Sequence, residues 1–186
     1  MIVREYVYNN YLYHHGIKGQ QWGVRNGPPY PLDSIANGNA VRLKDYDGPA
    51  YFISEKKLEN LTLTPRVPRN FLTTRGYEDS ETPRVSFAPS IDGCLAGLSQ
   101  NLDDKEFYVY SPVDISKCDV YKPNTKAVPD SEITGELWIT NPVELKQVKR
   151  IGITGNRGEN GKEYKYGNNT AILFDDWEYE EFADEK

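Results

Sequence analysis

The stretch Thr82-Pro-Arg-Val-Ser-Phe-Ala-Pro-Ser-Ile-Asp-Gly-Cys-Leu-Ala-Gly-Leu98 constrains the fold more than any other. Val85 and Phe87 alternate with Arg84 and Ser86, the period of a strand with one buried face. Pro89 ends that strand, and Ser90 has the side chain of a helix N-cap. Ile91, Cys94, Leu95 and Leu98 follow at i, i+3, i+4 and i+7, one apolar stripe on a helix. Gly93, Ala96 and Gly97 predict a helix that sits close to a sheet. Each Gly inside a helix costs about 1 kcal/mol against Ala, so two of them need a packing reason.

A chain of 186 residues can bury a real core in one domain. Its 14 Tyr, 6 Phe and 3 Trp are too many aromatics for a disordered polymer. The net charge of −6 is uneven, because seven carboxylates against one lysine lie between Asp175 and Lys186. The remainder is balanced and carries no basic stripe, which argues against general nucleic-acid binding. No apolar run is long enough for a membrane span or a secretory leader, so a membrane partner is not expected and a reducing cytoplasm is. Cys94 and Cys118 are far apart and lack metal-ligand spacing; Cys94, on the apolar stripe, is expected to be a structural thiol. No metal site is predicted.

Residues 1–47 read as an N-terminal arm with a Pro-rich linker, 48–174 as the compact domain, and 175–186 as a solvated acidic tail. Strands are expected at Ala50-Tyr-Phe-Ile-Ser54, Phe107-Tyr-Val-Tyr110, Cys118 to Tyr121, Gly135-Glu-Leu-Trp-Ile-Thr140, Val148 to Ile153 and Thr170-Ala-Ile-Leu-Phe174. Glu55 to Leu61 reads as a short helix or turn. Gly155 to Gly167 reads as a glycine-rich polar loop, and Gly152-Ile-Thr-Gly-Asn-Arg-Gly-Glu-Asn-Gly161 lacks the Gly-Lys-Ser/Thr ending of a phosphate loop and reads as a hairpin loop. Strands outnumber helices, without βαβ alternation or repeats. The expected class is α+β, a mixed, largely antiparallel twisted sheet with one main helix and short helical turns.

Within the arm, Tyr11-Leu-Tyr-His-His-Gly-Ile-Lys-Gly-Gln-Gln-Trp-Gly-Val-Arg25 resembles a short element, His-x-Gly-x-Lys-Gly-x-x-Trp-Gly-Val-Arg, of proteins encoded by phages and prophages of Gram-positive bacteria. Gln20-Gln21 stand where Met-Lys is more usual. The resemblance implies phage origin and the cytoplasm of an infected bacterial host. His14 and His15, the only histidines, have no metal-ligand partners at useful spacing. This apolar and aromatic segment is where subunits would associate into a homo-oligomer.

The order of elements from residue 48 to 153, with Phe-Ala-Pro-Ser at a strand-to-helix turn and a glutamate on a late strand, is similar to the ADP-ribosyltransferase superfamily at its diverged edge. The resemblance implies NAD or a related nucleotide as ligand. It places Tyr51 or Ser54 on the first strand, Ser86 and Ser90 around the second, and Glu136 (or Glu132) as the late carboxylate. A glutamate there would hold a ribose hydroxyl and stabilise oxocarbenium character as nicotinamide leaves. No histidine lies in the domain and Arg42 precedes the first strand, so neither common triad of the family is complete.

A basic set comprises Arg66, Arg69, Arg75 and Arg84 with Lys56 and Lys57, and guanidinium groups suit phosphate. The amides after Ser90 would add donors, and Tyr51, Tyr77, Phe87, Tyr108 and Tyr110 could stack on a base. The plainer alternative is that these are exposed charges paired with Glu55, Glu78, Asp79 and Glu81 while the aromatics pack in the core. The expected function is a phage accessory protein that binds a nucleotide or NAD-derived molecule, sequestering a host immune signal. The alternatives are an active mono-ADP-ribosyltransferase, with Glu136 catalytic, and a virion assembly protein.

Overall fold

Several strands carry apolar residues on both faces, and that decides the architecture. The computed structural model describes residues 38–69, 76–98, 102, 104–156, 162–166, 169–174 and 176–182. Its elements are β1 (Ala40–Arg42), β2 (Phe52–Ser54), β3 (Thr62–Leu63), β4 (Val85–Phe87), α1 (Ile91–Ala96), β5 (Glu106–Pro112), a 3-10 turn (Ile115–Lys117), β6 (Val120–Pro123), α2 (Ser131–Thr134), β7 (Leu137–Ile139), β8 (Val143–Asn156), β9 (Lys162–Tyr166), β10 (Asn169–Leu173) and β11 (Trp177–Phe182). One sheet has the order β11-β8-β5-β2, with β3 added to β8; a second has the order β1-β6-β7-β4; β9 and β10 form a hairpin. Every strand pairing among the described residues is antiparallel. The molecule is α+β and rich in sheet.

Alternation along the strands sorts the side chains into three cores. Between the two sheets lie Phe52, Val85, Phe87, Tyr110, Val120, Leu137, Ile139, Val143 and Leu145. On the other face of the first sheet, Ile53, Phe107, Val109, Ile151 and Ile153 pack with Ile91 and Leu95 of α1 and with Trp177. A bulge between Val109 and Tyr110 lets one long strand, β8, serve both cores. The outer face of the second sheet buries Trp138 and Tyr121 under Ala127 and Val128. The free edge of β4 is closed by two pairs of backbone bridges. Tyr51 and Ala88 exchange hydrogen bonds of 2.7 and 3.0 Å, and Arg66 and Arg84 exchange bonds of 3.2 and 2.9 Å.

The strand-turn-helix unit forms as its sequence predicts, with Ser90 Oγ accepting from the Gly93 amide at 3.0 Å. The close approach of α1 differs from the expected one. Gly93 lies against the carbonyl oxygen of Thr134, so α1 meets α2 there and not a sheet strand. Three further expectations are corrected. Trp177–Phe182, placed in a solvated acidic tail, is a sheet strand whose Trp177 is buried while its glutamates face outward. Ala40–Arg42, assigned to the arm, pairs with β6. Lys162–Tyr166, assigned to a polar loop, is a strand paired with β10. The His14–Arg25 motif and Arg75 lie outside the described residues. No helix among the described residues is long and apolar enough to cross a membrane.

Candidate functional site

Register builds the site. Ser86 stands opposite Trp138, and Phe87 opposite Leu137. Arg84, Ser86 and Ala88 therefore share a sheet face with Glu136 and Trp138, whereas Val85, Phe87, Leu137 and Ile139 point into the core between the sheets. The turn at Pro89 then swings α1 across the end of that outer face. Gly135, the left-handed C-cap of α2 at φ 65°, closes the opposite side against the Pro89 ring. A half-open cleft remains, lined by Ile53, Ser86, Ala88, Cys94, Leu98, Asp130, Thr134 and Glu136, with Phe87, Gly93 and Gly97 completing its wall.

The polar groups of this cleft are deeply placed, with Ser86 6 %, Glu136 7 % and Asp130 7 % exposed. Ser86 Oγ is buried and has no hydrogen-bond partner among the described residues. Glu136 Oε1 accepts from the Trp138 indole N–H at 2.8 Å. The Glu136 amide donates to Thr134 Oγ1, which donates in turn to the Asp130 carbonyl, both at 3.2 Å. The Cys94 thiol donates to the Tyr51 carbonyl at 3.2 Å. Burial, chiefly, pushes this thiol up to about 12; the Ala88 amide works against the shift, and the charges of Glu136 and Asp92 add to it. Cys94 is thus held as a thiol and not poised as a nucleophile. Among the described residues the lining contains two carboxylates and no Lys, Arg or His. The cleft offers about 40 Å³ to water-sized occupants, enough for about three waters at roughly 10–15 Å³ each.

Of the residues predicted for ligand binding, the structure brings Ser86 and Glu136 together. Ser90 caps α1 at the exposed rim, and its oxygen is taken by Gly93. Six residues make too short a helix for its N-terminus to bind an anion by itself. Tyr51 packs on the core beneath α1 and bridges Ala88 through its backbone. Ser54 falls on the opposite face of β2 from the cleft-lining Ile53 and accepts from the Lys56 amide at 3.3 Å. Tyr108 packs toward the core between the sheets, with the Arg150 guanidinium 5.7 Å from its ring centre. Glu132 is exposed on α2.

The basic constellation does not converge. Arg84 is 1 % exposed, turned inward with its guanidinium 4.4 Å from the Trp138 ring centre. Its Nη1 donates to the carbonyls of Asp79 and Thr82 at 3.0 and 3.1 Å and lies 3.4 Å from Asp79 Oδ1, while Glu78 Oε2 is 3.9 Å from Nη2. Arg84 does approach Glu78 and Asp79, but in the interior and not as the exposed charge expected, and it is out of reach of a phosphate. Arg66 is half-buried, which lowers its guanidinium from the ordinary value, and Arg69 is exposed. Neither lines the cleft. Asp130 and Thr134 escaped sequence reasoning because α2 is one turn long and shows no period. The signal present was Asp130-Ser-Glu-Ile-Thr-Gly135, an N-cap residue followed by a left-handed C-cap glycine.

Among the described residues no group of three or more His, Cys, Asp or Glu could hold a metal ion. Comparison with protein-family models, with curated proteins and with solved structures found no match.

Proposed function

We propose that this chain is a small-molecule-binding protein whose ligand is a nucleotide or NAD-derived compound, gripped at this cleft by its sugar and not by its phosphates. The observation that carries the reading is the buried hydroxyl of Ser86, unpartnered among the described residues, beside the buried carboxylates of Glu136 and Asp130. An unmet buried hydroxyl costs about 1–3 kcal/mol, which a ligand hydroxyl or a water can recover. Carboxylate oxygens in the cleft repel phosphate and accept from hydroxyl donors, so a sugar edge suits the cleft while the charged remainder lies at its mouth. The resemblance of His14–Arg25 to phage-encoded elements supports a setting in an infected bacterium, where binding would remove a host signalling nucleotide.

The test is calorimetric titration with NAD, ADP-ribose, cyclic ADP-ribose isomers and cyclic nucleotides, followed by heat release. Binding of one compound, its recovery unaltered, and at least tenfold weaker binding by Ser86→Ala and Glu136→Gln are expected. Absence of binding by every compound overturns the reading. A second reading, mono-ADP-ribosyl transfer, is favoured by one observation: Glu136 and Ser86 line the same cleft. Labelled NAD with cell lysate separates the two, since only a transferase leaves label on a product.

A further inference from the structure

Glu136 could meet a ligand with either oxygen, yet Oε1 is already taken by the Trp138 indole N–H. The indole is in turn stacked against a buried cation. Trp138 is fully buried, its ring lies under the Arg84 guanidinium, and Ser86 is its cross-strand neighbour. Arg84 is anchored at its far end by the Asp79 and Thr82 carbonyls. The Asp79 carboxylate is itself fixed by the Thr82 amide at 2.7 Å, the Thr82 hydroxyl at 3.1 Å and the Glu81 amide at 3.1 Å. A planar cation stacked on an indole restricts the tilt of the ring and hence the direction of its N–H. We propose that Trp138 is a positioning residue that fixes the Glu136 carboxylate in the cleft, and that Arg84 fixes Trp138. The chain of contacts runs from the Asp79 loop to the cleft along one sheet face, and it gives the inward-facing Arg84 a role at a site it does not touch. As a statement about ligand recognition it rests on the binding reading above; as a statement about the carboxylate it does not.

The test uses the full chain labelled with nitrogen-15, with the Trp138 indole signal assigned by its loss in Trp138→Phe. In the native protein this proton is expected to resonate downfield and to exchange slowly with solvent. Glu136→Gln replaces a charged acceptor by a neutral one, moving the signal upfield and speeding exchange about tenfold. Ser86→Ala leaves it in place. Arg84→Lys keeps the charge and loses the planar stack, and is expected to shift and broaden the signal while the rest of the spectrum stays folded. A signal unmoved by Glu136→Gln overturns the Trp138 link, and one unmoved by Arg84→Lys overturns the Arg84 link. With ADP-ribose as probe, Trp138→Phe is expected to weaken binding about tenfold in the native background and to add nothing in the Glu136→Gln background. Equal losses in both backgrounds mean a merely structural role. If the native chain binds no nucleotide the binding reading fails, and the indole signal still decides the positioning.

Discussion

At the residue scale the two side chains that first suggest chemistry, Cys94 and Arg84, are both held inactive by their surroundings. The Cys94 thiol donates to the Tyr51 carbonyl and its burial moves it from an ordinary value of 9.0 up to about 12. The folded thiol therefore keeps its proton at pH values where the unfolded one loses it. Its contribution to stability is complete below pH 9 and declines from there toward pH 12. Urea midpoints measured from pH 8 to 10.5 should fall more steeply for the native chain than for Cys94→Ala. Tyr46, Tyr110 and Tyr179, also raised by burial, act in both proteins and cancel. Parallel curves would remove the thiol from the account. Arg84 is the opposite kind of group, a cation whose loss takes a counter-charge from the buried Asp79 carboxylate. Arg84→Met is expected to cost about 3–5 kcal/mol, the usual penalty for removing one partner of a buried ion pair. Exposed Arg69 changed to Ala should stay within about 0.5 kcal/mol of the native midpoint.

At the scale of elements, the junction of α1 and α2 shows why a glycine pattern reads as close packing before its neighbour is known. A Cβ on Gly93 would overlap the Thr134 carbonyl oxygen, a backbone atom that cannot step aside. Gly97, at φ −75°, has its nearest foreign atoms at 3.6–3.8 Å, ordinary contact. Gly93→Ala gains about 1 kcal/mol of helix propensity and loses more to overpacking, so a fall of several degrees in Tm is expected. Gly97→Ala should leave Tm unchanged or raise it by a few degrees. Equal behaviour of the two variants would mean that the helices do not meet as described. The unit from Val85 to Leu98 was legible in the sequence because strand alternation, proline, cap and apolar stripe all agree within fourteen residues. α2 was not, since four residues cannot display a helical period. β11 was hidden for another reason: its exposed edge is lined with Glu178, Glu180 and Glu181, and a charged edge strand has the composition of a solvated tail. Half of the cleft was legible with it. Ser86 and Glu136 lie on recognisable strands, whereas Asp130 and Thr134 depend on the unrecognised helix.

The whole molecule is organised by a central sheet with both faces covered, and this sets where it should resist opening. β8 is bonded to β5 over seven residue pairs and also to β11 and β3, while β5 carries β2 on its other edge. Side chains on both faces of β5 are buried, Phe107 and Val109 toward α1 and Tyr110 toward the second sheet. Opening any part of β5 or β8 exposes two cores at once, so their amides should exchange hydrogen only through global unfolding. Ile53 and Ala88, which line the cleft, sit beside this platform, on β2 and on the backbone bridge that closes the β4 edge. The floor of the proposed site is therefore expected among the slowly exchanging amides. The β9–β10 hairpin, by contrast, pairs with no other strand among the described residues. A two-stranded hairpin is marginal by itself in water, and its amides should exchange through local openings. Native-state exchange at rising, sub-denaturing urea separates the two regimes. Amides of Phe107, Val109 and Ile151 should show opening energies that fall with urea at the slope of global unfolding, and those of Ala171 and Tyr164 should show almost no slope. A hairpin that joins the global slope would have to be packed on the body, and the central sheet would then not be the sole unit of cooperativity.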